Sequence, residues 1–138
     1  MEKKILLSGL AGAVVMFLLG WLMFGLLMKD VMAEYMVAFG DSMNTEPVMW
    51  AIVLANLIMG MLLAYLLYRF GVTDFVGGIK ASWVILLALF VWFDLWMFAS
   101  FKGMTGKLMA IDIISNMIIG LLGAGVVGWV LGKLKEKV

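Results

Sequence analysis

The sequence predicts an all-α membrane protein: a single transmembrane domain over residues 1–138, folded as a four-helix bundle made of two hairpins. Three observations lead there. Hydrophobic residues make up 66% of the chain and proline occurs once, and the mean hydropathy of +1.16 is far above that of a soluble core. Four apolar runs are each long enough, at ~1.5 Å per helical residue, to cross a hydrocarbon core of ~30 Å. Finally, the segment Asn56-Leu-Ile-Met-Gly60-Met-Leu-Leu-Ala64 returns as Asn116-Met-Ile-Ile-Gly120-Leu-Leu-Gly-Ala124, with Asn, Ile, Gly, Leu and Ala in the same register.

The first run, 5–28, follows Lys3 and Lys4. It exceeds the ~7–15 apolar residues of a signal peptide and reads as a retained helix. Ser8, Gly9, Gly12, Ala13, Gly20 and Gly25 notch its surface, as close helix approach in a membrane requires. The only long connection follows, with Asp30, Glu34, Asp41 and Glu46 against Lys29. Val31, Met32, Tyr35, Met36 and Phe39 fall at helical spacing, which predicts a short interfacial helix over 30–39, acting as a lid or as a plain connector. Thr45-Glu46-Pro47 reads as the N-cap and first turn of a second helix, 47–69. A short connector over 71–79 leads to a third helix over 80–101, rich in Trp83, Phe90, Trp92, Phe93, Trp96 and Phe98. A tight glycine turn then gives way to a fourth helix over 108–132 and a basic tail.

Composition removes much chemistry. There is no cysteine and no histidine, so thiolate nucleophiles, disulfides and the usual zinc or haem ligands are excluded. No phosphate-binding glycine loop, nucleophile elbow or H-E-x-x-H occurs. No catalytic residue, cofactor or metal is expected, and the chain reads as a non-enzyme. A net charge of +1 carries no nucleic-acid footprint.

Basic residues set the orientation. Lys3, Lys4, Arg69, Lys80, Lys133, Lys135 and Lys137 fall on one side, and Lys29, Lys102 and Lys107 on the other. The positive-inside rule puts both termini in the cytoplasm and the acidic connection outside. The two hairpins then run the same way, so they form a parallel repeat about an axis along the membrane normal. The match is close for helices two and four; helix one meets helix three only through Met23-Phe24-Gly25 against Met97-Phe98-Ala99.

Depth singles out a polar layer. Asn56, Asp94 and Asn116 each lie about two turns inside the outer end of their helices, ~12 Å down, with Trp21 or Gly20 at the same level. Asp112 sits one turn above Asn116. No lysine or arginine lies in the helical cores to neutralise Asp94, and intramembrane acids face cavities, pair, or serve transport. Asp94 would be protonated, would bind a cation, or would accept hydrogen bonds from Asn56, Asn116 and a tryptophan N–H. The plainer alternatives are interhelical glue for the asparagines and a solvated first-turn acid for Asp112. For packing, Gly12 and Gly20, Gly60 and Ala64, and the row Gly120, Ala124, Gly128 and Gly132 offer grooves. The fourth-helix row is expected to receive a neighbouring backbone, with the notches of helix one opposite it.

These features, the glycine-notched first helix from Gly9 to Gly25, the Asn-x-x-x-Gly after the acidic loop and the Gly-Trp129 near the end, make the chain resemble small bacterial four-helix inner-membrane proteins grouped as domains of unknown function. The resemblance implies the bacterial cytoplasmic membrane and transfers no functional residue. The sequence departs from small multidrug transporters, with no embedded glutamate in helix one, and from fluoride channels, with no arginine there. The leading expectation is a small transporter or binding protein with an outward-facing polar pocket around Asp94. Its alternative is a non-catalytic accessory or assembly subunit docking other membrane helices, and the third reading is a binder of apolar ligand or lipid along the aromatic wall of helix three. The partners implied are the bilayer, a second copy or larger membrane complex, and a cation or small apolar ligand.

Overall fold

The computed structural model describes residues 1–136; Lys137, counted above in the basic tail, lies outside them. Five α-helices occur in order: α1 (Glu2–Gly20), α2 (Lys29–Phe39), α3 (Met49–Arg69), α4 (Phe75–Ser100) and α5 (Gly106–Glu136). A π-helical stretch, Trp21–Leu27, prolongs α1, and a 3₁₀ turn, Gly40–Ser42, follows α2. Four of these segments are long and apolar enough to cross a membrane: Glu2–Leu27, Met49–Arg69, Phe75–Ser100 and Gly106–Lys135.

Local chemistry explains the boundaries, and several differ from expectation. Thr45, Glu46 and Pro47 do not start α3; it begins at Met49 behind an extended Val48 with no side-chain cap. At its other end Gly71, at φ +72°, allows the paired bonds Gly71 N–H to Tyr68 carbonyl and Val72 N–H to Leu67 carbonyl, 3.1 and 3.0 Å, the left-handed glycine stop of a Schellman motif. That stop is so compact that α4 starts at Phe75, five residues before the expected 80. Asp74 caps it by accepting the Gly77 N–H at 2.7 Å. Thr105 does the same for α5, accepting the Leu108 N–H at 3.2 Å, because a side-chain oxygen satisfies an N–H that the first turn leaves without a partner.

Packing puts α5 at the centre. It lies along α4 on one side and α1 on another and also touches α3; α1 packs closely on α3, whereas α4 scarcely meets α3. The first and second spans therefore pack on each other, as do the third and fourth, but the contacts between the two pairs are not reciprocal. Small residues account for this. α5 has two notched faces, so two helices can approach it, whereas α3 has one. On the first face of α5, Gly78 packs on the Ala124 carbonyl, the Asp74 carbonyl lies on Gly128 and the Thr73 carbonyl on Gly132. On the second, Gly12 receives Val127, and Met16 fills the space over Gly123. On α3, Gly60 lies against the Gly9 carbonyl and Ala13 of α1.

The row Gly120, Ala124, Gly128 and Gly132 thus does receive a backbone, but that of α4 and its preceding turn. The expectation that α1 would lie opposite it is corrected: α1 uses the neighbouring Gly123 and Val127 face. Gly20 is corrected too, since nothing approaches within 4 Å of a side chain built there; it is open space and not a packing notch. The buried core joins these faces through Met16, Leu63, Ala64, Leu67, Leu86, Ile119, Ala124, Val127 and Leu131. Lipid is as apolar as these side chains, so close van der Waals fit, more than the hydrophobic effect, holds such helices together.

Candidate functional site

Near the α2 end the spans part and leave a cavity of about 430 Å³. Its floor is Met16 and Ile119, both buried. Its walls come from Phe17 and Gly20 of α1, Trp21, Phe24 and Gly25 of the π-helical stretch, Ile52 and Asn56 of α3, and Asn116 of α5; Met32, Pro47 and Met49 close the top. The rim residues Trp21 (58% exposed), Met49 and Ile52 look outward, so the cavity opens on the apolar lateral surface of the bundle.

The π-helical stretch forms one side of this space. Trp21, Phe24 and Gly25 of its wider helical turns line the cavity, and such turns recur at functional sites. Gly20 and Gly25 supply no bulk to fill the gap, and the nearest atoms to a side chain built at Gly25 belong to Trp21, from 3.6 Å. The sequence signal for this was weak. Gly20 and Gly25 mark that level in the sequence, where the pattern alone does not distinguish a packing notch from open space.

Two amides are the polar features of the lining. Asn56 Nδ2 donates to the Ile52 carbonyl at 2.8 Å. Asn116 Nδ2 donates to the Asp112 carbonyl and to Asp112 Oδ2, both at 3.0 Å. Each amide therefore spends its N–H donors on its own helix, and its oxygen has no protein partner among the described residues. Bonding back to the preceding turn is a local solution for a polar side chain in a membrane helix, so neither asparagine bridges to another helix as glue.

Asp94 is where sequence and structure part. It is 1% exposed, as an intramembrane acid should be, yet it does not line the cavity. Of the residues expected to share one pocket, Asn56, Asn116 and Trp21 line this cavity and Asp94 does not. The cause is the sideways position of α4, which packs on α5 and presents Asp94 to that helix, with α5 between it and the cavity walls of α1 and α3. There its carboxyl faces that of Asp112 within hydrogen-bonding reach. With both groups ionised the contact lacks a donor, and Asp94 Oδ2 has no partner among the described residues; one proton between them makes it a hydrogen bond. Asp112 is half-buried and joins both sides, meeting Asp94 and accepting from the cavity amide of Asn116. The solvated first-turn role expected of Asp112 does not apply, because α5 begins at Gly106 and places Asp112 well inside the helix.

The α2 helix covers this end. The Lys107 ammonium pairs with Glu34 at 2.9 and 3.1 Å, and Tyr35 donates to the Leu108 carbonyl at 3.2 Å. The Tyr35 and Phe39 rings stack at 5.9 Å, and Phe39 meets Phe101 at 6.3 Å. Burial, followed by the nearby Asp112 and Asp94 carboxyls, pushes the Tyr35 phenol from 10.0 to about 12. Gly103 admits the Ala38 carbonyl so closely that a side chain there would collide with it at 2.6 Å. Beneath α2, the buried Ser115 hydroxyl donates to the sulfur of Met28 at 3.3 Å. Apart from the Tyr35–Phe39 stack, these contacts join segments more than 60 positions apart, so sequence spacing could not reveal them. The α4 aromatics Trp83, Trp92, Phe93, Trp96 and Phe98 are exposed and form no wall of the cavity.

Four helices long and apolar enough to cross a membrane, three of which line a laterally open cavity, are the features of a helical multi-pass membrane protein. Compared with protein-family models, with curated proteins and with solved structures, the chain matches none.

Proposed function

We propose that this protein is a small transporter or binding protein of the bacterial cytoplasmic membrane, not an enzyme, and that it takes an uncharged ligand with an apolar body and a hydrogen-bond donor head. The observation that carries the reading is the cavity itself: an apolar chamber with a lateral mouth and two free amide oxygens. The oxygens accept hydrogen bonds, and the rest of the lining accommodates hydrocarbon, the usual composition of a small-molecule site. The nearest carboxylate oxygen, Asp112 Oδ2, is already held by Asn116, which favours a neutral head over a cation. The Asp94–Asp112 pair stands behind the amide and supplies a proton-holding group next to the site. In this reading the α2 end faces outward and both termini face the cytoplasm, as the distribution of lysines supports.

The internal repeat belongs to the same reading. Gly60 faces α1, its hairpin partner, and Gly120 faces Leu86 and Phe90 of α4, its own partner, so the matched glycines have matched duties. The accessory-subunit alternative loses its main support, because the α5 row that would dock a foreign helix is filled by this chain.

The test uses Gly20→Phe. Space around Gly20 is empty, so the ring enters the cavity without displacing backbone. A photoactivatable long-chain alcohol should label Phe17, Trp21, Phe24 or Met49 in the parent protein in liposomes and lose that labelling in the variant. Unchanged labelling in Gly20→Phe, or labelling confined to the outer aromatic face of α4, refutes the proposal.

A further inference from the structure

At the opposite end of the bundle a second cavity, of about 230 Å³, lies between α1, α5 and the α3–α4 turn, lined by Lys4, Tyr68, Gly71, Val72, Thr73, Leu131 and Lys135. We propose that it binds the phosphate of an anionic phospholipid headgroup. Among the described residues its lining contains two ammonium groups, a phenol and a threonine hydroxyl, and no carboxylate. Lys4 is half-buried, and the ion pair of Lys107 with Glu34 lies at the other end of the bundle. Two cations on one concave, partly buried surface favour an anion bound between them.

The fold determines where that anion comes from. Lys4 stands at the start of the first span and Lys135 at the end of the last, which puts both at headgroup level. Tyr68 ends α3 one residue before Arg69, and aromatic residues with a polar tip belong at that boundary. The Schellman stop at Gly71 turns the chain away sharply and leaves the hollow under Val72 and Thr73. Leu131 forms an apolar floor, suited to the glycerol and first methylenes below a phosphate. Basic pockets between membrane helices on the cytoplasmic side bind such headgroups. This site is independent of the amide cavity and stands whether or not that cavity takes a ligand.

The experiment is native mass spectrometry of the delipidated full chain with phosphatidylglycerol, phosphatidylcholine or inorganic phosphate added. The expected result is one tightly held phosphatidylglycerol, preferred over phosphatidylcholine by roughly fivefold for each lysine. The preference should disappear in the Lys4→Gln, Lys135→Gln double variant and persist in Lys3→Gln, which lies at the same end but outside the cavity. If inorganic phosphate alone binds with the same lysine dependence and displaces the lipid, the site is a phosphate site whose ligand is the free ion, and the lipid assignment is overturned. Absence of any headgroup preference, or equal loss in Lys3→Gln, overturns the site altogether and leaves only diffuse surface charge. Thermal unfolding of each variant checks that the fold persists.

Discussion

Adding one methyl group at Gly60 should weaken the bundle measurably, and the size of the effect follows from what the methyl would meet. An alanine side chain there runs into the Gly9 carbonyl oxygen and lies 3.0 Å from both the Cβ and the backbone nitrogen of Ala13. Two of these three atoms are backbone, so no rotamer change makes room; α1 and α3 must separate. A gap of ~0.5–1 Å forfeits a quarter to a half of each dispersion contact along the seam. Overpacking of this kind costs about 1–3 kcal/mol, while alanine recovers about 0.5–1 kcal/mol over glycine within a helix. The net expectation for Gly60→Ala is a loss of up to about 2.5 kcal/mol, with a midpoint of about 1.3 kcal/mol that corresponds to roughly a tenfold drop in the folding equilibrium constant. Reversible unfolding in mixed micelles, titrated with dodecyl sulfate and followed by circular dichroism, reads it directly. Gly20→Ala is the matched control: with empty space around it, alanine should be neutral or stabilising by up to about 1 kcal/mol. Parent-like or greater stability in Gly60→Ala would refute the close α1–α3 approach.

Three further outcomes are expected. Asn56→Leu removes one of the two cavity acceptors and should weaken binding of a long-chain alcohol by about 0.5–1.5 kcal/mol while sparing the matched alkane; equal loss of both would make Asn56 a shape element only. Asp94→Asn keeps a donor facing Asp112 and should fold like the parent but abolish any proton uptake coupled to ligand in dye-loaded liposomes, whereas Asp94→Leu should also destabilise by about 1–3 kcal/mol by leaving Asp112 without that partner; equal unfolding of both would reduce Asp94 to a structural strut. The Tyr35 phenol is raised from 10.0 to about 12, so docking favours its neutral form. That contribution is fully present below pH 10 and lost between about pH 10 and 12, and amide exchange of α2 should speed up across that window in the parent but show no Tyr35-dependent step in Tyr35→Phe.

Much of the architecture was legible in the letters. Length and apolarity alone set the four spans, because a helix crossing hydrocarbon must satisfy its own backbone and present apolar side chains on nearly every face. The helical spacing from Val31 to Phe39 correctly marked α2, and the Asn-x-x-x-Gly repeat marked both amides that line the cavity. Burial of Asp94 followed from the cost of charge in lipid.

Which neighbour each face chose was decided only in three dimensions. The small-residue rows of α5 showed that some helix would come close, but Gly120 to Gly132 and Gly123 to Val127 are equally open to α1 or α4 as patterns. The short glycine stop at Gly71 fixes the choice by delivering α4 onto the first row, which leaves α1 the second. That single assignment moves Asp94 away from Asn56 and toward Asp112, and it opens the chamber beside Trp21. A sequence states how deep a residue lies along its helix, because rise per residue is constant. The direction a side chain faces across the bundle depends on all the helices packing at once, and that was determined by the tertiary structure.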